Sequence, residues 1–338
     1  MKRSKIIGVG SFVPPTIFTN HDLEKMMNTS DEWIVQRTGI KERRWVQDGE
    51  STSDLALHAA NEAIKNAGIS KEEIDMIIFA TISPDHEFPG TGCFLQAKLN
   101  LPGIPAIDIR QQCSGFVYGL SIADSFIRTG QYKKILLIGA EVHSSGLNKT
   151  PEGRDISVLF GDGAGAVIVS ECEVNDENKD PHIISTYLHA DGSFAKELWI
   201  CAPGTGVNKN NVRIDHSMLD QGLHFAYMNG KKVFTNAVKR MCEVTLKCLN
   251  NANLKPNDVD LYLFHQANLR INEALAERLE IHPDKVFNTI HKYANTTAAT
   301  IPIGMNDAVK AGKLKPGMLV GVAAFGSGFT WCSGLIRY

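Results

Sequence analysis

Asn66-Ala67-Gly68-Ile69, Glu73-Ile74-Asp75 and Phe79 return at constant spacing as Asn251-Ala252-Asn253-Leu254, Asp258-Val259-Asp260 and Phe264. Each stretch reads as a helix end, a short loop and an apolar strand. In the first copy, Ser53-Asp54 can cap an amphipathic helix that Gly68 closes. Ile74–Ala80 is then a nearly unbroken apolar run, of the kind buried on both faces of a sheet. The repeat continues further along the chain. Cys113 to Gly130 and Asn295 to Gly312 are equally long, and each runs from a polar residue through a helical pattern to glycine. Buried strands follow both, Ile135–Gly139 and Met318–Val322. Helix alternating with buried strand predicts an α/β protein, and two matched blocks in one order predict a duplication. The halves are expected at 1–172 and 173–338, with inserts at about 144–155 and 172–230 covering the site.

At 338 residues the chain has room for two domains or one duplicated one. With 43% hydrophobic and 21% charged residues it is too apolar to be disordered. Lys+Arg 35 against Asp+Glu 37 gives a net charge of −2, which excludes a bulk basic field for nucleic acid. No apolar run reaches the roughly 18 residues of a membrane span. The N-terminus is too weakly apolar for a signal peptide and reads as a first strand ending at Pro14-Pro15. Seven cysteines without CxxC spacing predict reduced thiols, no disulfide framework and no metal site. The expectation is a cytoplasmic enzyme without nucleic-acid or membrane partners.

Cys113 stands between a strand and a helix in Asp108-Ile109-Arg110-Gln111-Gln112-Cys113-Ser114-Gly115-Phe116. A thiol at a helix N-terminus feels the positive end of the dipole and unpaired N–H groups, which favour the thiolate. His265 ends the apolar strand Val259–Phe264, and Asn295 precedes a helix in Tyr293-Ala294-Asn295-Thr296-Thr297. Alone, His265 fits a core histidine and Asn295 a helix cap. The other cysteines read as inert, and the other histidines, such as His21, His58 and His216, as surface residues. Phe160–Ala166 carries a dinucleotide-like glycine pattern but precedes a strand instead of opening a helix, so it reads as a turn. The glycines of Phe325-Gly326-Ser327-Gly328-Phe329 can bring backbone N–H groups to an oxyanion. A Cys, a His and an Asn leave two chemistries open: papain-type hydrolysis, and acyl transfer with carbon–carbon bond formation.

The chain resembles the β-ketoacyl-acyl-carrier-protein synthase III family of thiolase-like condensing enzymes, essentially end to end. The likeness rests on Thr29–Ile34, Arg37–Ile40, the Cys113 segment, Gly161–Gly165, His265–Asn268, Asn295-Thr296 and the Phe325–Trp331 tail. It implies a duplicated, five-layer α/β/α/β/α fold. It makes Cys113 the nucleophile that takes an acyl group from acyl-CoA, and His265 and Asn295 the donors to a malonyl-derived enolate. The backbone N–H groups of Cys113 and Ser327 become the oxyanion hole, with Ser327 in place of a common glycine. Trp33, Arg37, Arg154, Phe234 and Asn268 become coenzyme A contacts, Trp33 and Arg154 by sandwiching the adenine. Phe88 reaches across a homodimer into the partner's acyl pocket, and Arg270 docks the carrier. Coenzyme A enters as a thioester substrate, malonyl-acyl carrier protein as the second substrate, and no cofactor is bound permanently.

This chain also departs from the family pattern. Thr235 and Glu277 stand where some members carry docking lysines, and Arg110-Gln111-Gln112 replaces an Ala-rich stretch. The resemblance therefore leaves room for a specialised condensing enzyme or acyltransferase of secondary metabolism, or a non-catalytic acyl-CoA-binding subunit.

Overall fold

The computed structural model describes residues 2–207 and 211–338. Two sheets carry the duplication. The first contains Lys2–Phe12 (β1), Met76–Ala80 (β2), Ala106–Ile109 (β3), Lys134–Glu141 (β4) and Gly163–Glu173 (β5), in the order β1-β5-β4-β2-β3. The second contains His182–Ala190 (β6), Leu261–Phe264 (β7), Leu319–Gly326 (β8) and Thr330–Arg337 (β9), in the order β6-β9-β8-β7. A parallel bridge from Tyr262 to Val286 takes the place that β3 holds beside β2. In both sheets the pairs toward one edge (β4-β2-β3 and β8-β7) are parallel and those toward the other (β1-β5-β4 and β6-β9-β8) are antiparallel.

The repeated sequence does the same physical work twice. Asp75 Oδ2 accepts the N–H of Lys134 at 2.9 Å, and Asp260 Oδ2 accepts that of Leu319 at 2.7 Å. Each aspartate thereby ties the start of its strand to the start of a parallel neighbour in the sheet, β2 to β4 and β7 to β8. Glu73 and Asp258 likewise accept the N–H three residues earlier, of Ser70 and Lys255. The expected boundaries shift slightly. The first long helix begins at Thr52 because Ser51, with Asp54, forms the capping box, two residues ahead of the anticipated Ser53.

Seven helices matter here: α1 (Asp31–Thr38), α2 (Thr52–Ala67), α3 (Thr91–Lys98), α4 (Gly115–Arg128), α5 (Gly230–Asn251), α6 (Leu269–Arg278) and α7 (Thr300–Lys310). Helices α2 and α3 cover the outer face of the first sheet, where Leu55, Ala59, Ala63 and Leu95 pack on Ile77, Phe79, Leu136 and Ile138. Helices α5 and α6 cover the second through Met241, Leu249 and Leu275. Between the sheets, α4 and α7 touch both, and Phe116, Leu120, Ile301 and Met305 join residues of both sheets in one core. The result is the five-layer arrangement expected from the resemblance. Each such fully buried Leu, Ile or Phe contributes about 1.5–3 kcal/mol, so the shared middle layer binds the sheets firmly. No helix among the described residues is long and apolar enough to cross a membrane.

The first insert is as expected. The second is shorter than expected, because β6 lies within 172–230 as an edge strand of the second sheet. Only the part after it, with the small hairpin Leu198–Ile200 and Ala226–Met228, forms a cover.

Candidate active site

One cavity of about 1540 Å³ opens between the carboxyl ends of the central strands and the inserts. Cys113, His265 and Asn295 all line it, together with Gly326. Residues distant in sequence meet because Cys113 follows β3, His265 continues β7 and Asn295 follows the helical turn Ile290–Tyr293, all at the same end of the sheets.

Cys113 lies in the single turn Gln112–Ser114, two residues ahead of α4. Gln112 adopts φ +46°, a left-handed conformation uncommon for a side-chain-bearing residue and concentrated at functional sites. Gly326 presses against this turn: a Cβ there would lie 3.0 Å from the Cys113 nitrogen and 3.1 Å from its Cβ. Cys113 is only partly exposed to the cavity, and the state of its thiol differs from the sequence expectation. Burial, reinforced by the Glu141 carboxyl, pushes it up to about 12, so the dipole does not yield a resting thiolate. Glu141, at the end of β4, is fully buried and accepts bonds from Thr81, Ile82 and Ser83, including Ser83 Oγ at 2.6 Å. Burial raises it to about 7 despite these donors.

His265 continues β7, its N–H bonded to the Ala323 carbonyl at 2.9 Å. Burial lowers the ring to about 3, so it is neutral in use. Nδ1 lies 2.7 Å from Thr300 Oγ1, which is also 3.0 Å from the Thr297 carbonyl, while Nε2 has no partner. Thr300 has one proton to give. Given to Nδ1, it makes Nε2–H a donor into the cavity; given to Thr297, it leaves Nε2 a bare lone pair.

Asn295 is clamped by its backbone to Leu159 and Gly161, across the glycine-rich turn that the sequence read as structural. Its Oδ1 accepts the Thr297 N–H at 2.8 Å, which leaves the amide NH2 as the group available to a ligand. Asn295 stands five residues ahead of α7, whereas Cys113 stands two ahead of α4. The local counterpart of the Cys113 turn is Thr297–Ala299, which begins with Thr297 at φ +50°. The equal spacing read from the glycines therefore holds at the helix ends but not at their starts.

The mouth is built differently. Trp33 carries two guanidinium groups against its rings, Arg37 at 4.5 Å and Arg154 at 4.6 Å. Arg154 also donates to the Asn28 carbonyl at 3.0 Å. Resting directly on Trp33, it fills the space that a sandwiched base would take, so a base enters only if Arg154 swings out. Asn268 caps α6 through the Arg270 N–H and donates to the Arg37 carbonyl at 2.9 Å, which ties the end of α1 to α6. Arg270 lies over the Phe234 ring at 5.7 Å, and both line the cavity. Ser327 and Phe88 do not line it. Ser327 follows Gly326 and turns its hydroxyl to the Leu198 carbonyl, and Phe88 is 82% exposed.

Three participants escaped the sequence reading. Gln266 is buried, and its Oε1 takes the N–H groups of Thr289 and Ile290, which holds the segment leading to Asn295. Cys201, read as inert, lines the cavity. His143, grouped with surface histidines, is partly buried against Phe160, and this burial lowers it to about 4. The 265–268 motif could have signalled Gln266; nothing local marked the other two.

Comparison with known proteins gives this geometry a family. The family model described as 3-oxoacyl-[acyl-carrier-protein] synthase III matches residues 107–192, and its C-terminal model matches 249–338. The chain is 44% identical to a β-ketoacyl-[acyl-carrier-protein] synthase III of Caldanaerobacter subterraneus subsp. tengcongensis, over 98% of this chain and 97% of that protein. The crystal structure of 3-oxoacyl-[acyl-carrier-protein] synthase III from Aquifex aeolicus superposes with a TM-score of 0.88 at 44% identity, covering 99% of this chain and all of that one. A priming β-ketosynthase from the R1128 polyketide pathway also gives 0.88, at 25% identity, over 98% and 95% of the two chains. The protein is thus a condensing enzyme with the thiolase-like fold. It belongs to the β-ketoacyl-[acyl-carrier-protein] synthase III family.

Proposed function

We propose that the enzyme joins an acyl group from an acyl-CoA to a malonyl unit on acyl carrier protein. Carbon dioxide leaves and a β-ketoacyl-acyl carrier protein forms, the first condensation of fatty acid synthesis. The observation that carries this reading is the convergence of Cys113, His265 and Asn295 on one cavity whose mouth holds an aromatic ring with two cations against it.

In this reading Cys113 Sγ attacks the thioester carbon and takes the acyl group, and coenzyme A leaves as its thiol. The oxyanion formed on the way lies against the backbone N–H groups of Cys113 and Ser327. The malonyl thioester then binds with its carbonyl oxygen toward His265 Nε2–H and the Asn295 amide. Loss of carbon dioxide places negative charge on that oxygen, where two neutral, buried donors are worth more than in water. A neutral His265 suits this task. The enolate carbon attacks the acyl-Cys113 carbonyl and frees the thiol for another cycle.

Trp33, Arg37, Arg154, Phe234 and Asn268 hold the coenzyme A moiety, and Arg270 receives the acidic carrier at the mouth. Phe88, with its ring in solvent, is the residue offered to a second copy in a homodimer. The halves are 1–172 and 173–338, a reading supported by the strands of the two sheets falling on either side of that boundary to within a residue. The enzyme acts in the cytoplasm. A second reading, a primer longer than acetyl, draws support from Leu198, Trp199, Leu223 and Phe225, which line the cavity from the insert.

Intact mass after mixing with acyl-CoAs from two to twelve carbons tests the core of this. One added acyl group, absent in Cys113→Ala, is the expected result, and the chain length that labels best names the primer. No mass gain with any acyl-CoA overturns the acyl-CoA reading.

A further inference from the structure

The acyl-transfer reading needs a thiol to lose its proton in a site that disfavours the thiolate. The structure holds a candidate beside the thiol. The turn that begins at Thr297 packs against the Cys113 turn, and Thr297 Oγ1 lies 2.6 Å from His143 Nε2. Thr297 is held rigidly: its N–H is bound by Asn295 Oδ1, its carbonyl faces Thr300 Oγ1, and its backbone sits at φ +50°. His143 is equally fixed, by the Phe160 ring at 4.8 Å and by its backbone N–H, which reaches the Asp162 carboxylate. Gly139 permits this approach, since a Cβ there would lie 2.4 Å from the Ala298 carbonyl oxygen in the same turn.

We infer that Thr297 and His143 form the proton relay of Cys113, with Thr297 as the group that touches the nucleophile and His143 as the positioning residue that acts through it. This rests on the acyl-transfer function proposed above. As Sγ attacks the thioester carbon, its proton passes to Thr297 Oγ1 while the Thr297 proton passes to His143 Nε2. Collapse of the tetrahedral adduct breaks the carbon–sulfur bond to coenzyme A. The departing thiolate takes the proton back along the same path, so one thiol is consumed, one is released, and no oxidant or reductant enters. A hydroxyl suits the middle position because it donates and accepts at once and reverses direction by rotation. Burial keeps His143 neutral at rest and disfavours its imidazolium, so the ring holds the proton only for the lifetime of the adduct. The ionisable groups facing the relay are Glu141 at the end of β4, Asp162 on the glycine-rich turn, and Cys332 of β9 beneath the Cys113 turn.

The test is single-turnover acylation of the whole enzyme by the acyl-CoA that labels the wild type best, followed by intact mass from pH 6 to 9 and in mixtures of H2O and D2O. His143→Gln keeps a hydrogen-bonding side chain but cannot carry a proton. The relay predicts that His143→Gln, His143→Leu and Thr297→Val each slow acylation tenfold or more at pH 7. Thr297→Ser stays within a few-fold of wild type, and the curved isotope dependence of the wild type becomes linear in the His143 variants. Rates unchanged in both His143 variants overturn the relay, and so does restoration by His143→Gln alone, which marks mere polar support. Thermal melting keeps an unfolded His143→Leu from counting, and the milder Gln variant then decides. If no acyl-CoA labels the wild type, the acyl-transfer reading falls by itself. Iodoacetamide alkylation of Cys113 against pH then judges the relay: a profile moved to higher pH in His143→Gln upholds it, and superimposed profiles overturn it.

Discussion

The floor and the mouth of the cavity are made by opposite means. On the floor, His265, Asn295 and Gln266 are buried, and their backbones or side chains are bound into neighbouring strands and turns. At the mouth, Trp33, Arg37, Arg154 and Arg270 are held by stacking and a few bonds at the surface. Preorganised donors in a dry site are worth several kcal/mol to a developing charge, whereas an exposed cation–π contact is worth about 0.5–1 kcal/mol. The difference teaches where this molecule can vary: its chemistry is locked by the duplicated scaffold, and its choice of ligand rests on parts that can shift.

Substitution sharpens that contrast. Cys113→Ala removes the nucleophile, and acylation measured by intact mass should vanish while coenzyme A still binds in calorimetry. His265→Ala and Asn295→Ala should still take an acyl group but lose malonyl decarboxylation, read as released carbon dioxide, by about a hundredfold or more each. Normal decarboxylation in either would break the claim that the floor is specialised. At the mouth, Trp33→Ala should raise the acyl-CoA KM by roughly tenfold with kcat unchanged, the pattern of a contact equal in ground and transition states. A fall in kcat instead would erase the division between floor and mouth.

The smallest effect concerns pH. Buried Glu141, near 7 in the fold against an ordinary 4.5, contributes stability that is full below pH 4.5 and lost as pH rises through 7. His143 and His265, lowered to about 4 and 3, contribute stability that is full above 6.5 and lost as pH falls toward those values. Glu141→Gln removes the first of these dependences. Its melting temperature should therefore gain on wild type between pH 4.5 and 8, by the equivalent of roughly 3 kcal/mol at most. Cys113 in that variant should also alkylate faster at pH 8, because the carboxylate that opposes the thiolate is gone. A constant difference in melting temperature would show that the carboxyl is already ionised in the fold.

The duplication was legible because Asp75 and Asp260 perform one backbone task in two places. The floor was legible for the same reason, as strand ends are where this topology gathers side chains. The state of the thiol was not. Dipole and burial act on it with opposite sign, and only the packed environment, with Glu141 brought in from β4, decides which prevails. His143 was invisible for a related reason: one histidine after a strand looks like any other until Thr297, 154 residues away, is found beside it. The covering insert was overestimated because β6, an edge strand, lacks the unbroken apolar run that marks central strands.

Helices α4 and α7 touch both sheets and share one apolar core. Consequently the Cys113 turn meets Thr297–Ala299 and Gly326 only after the two sheets have closed on that layer. A chain with one half collapsed displays an ordinary cysteine, reactive as any solvent thiol and without selectivity for a thioester. The chemical character of this single sulfur is therefore a built-in gauge of completed assembly. During refolding, the loss of its indiscriminate reactivity would mark the moment at which the halves join.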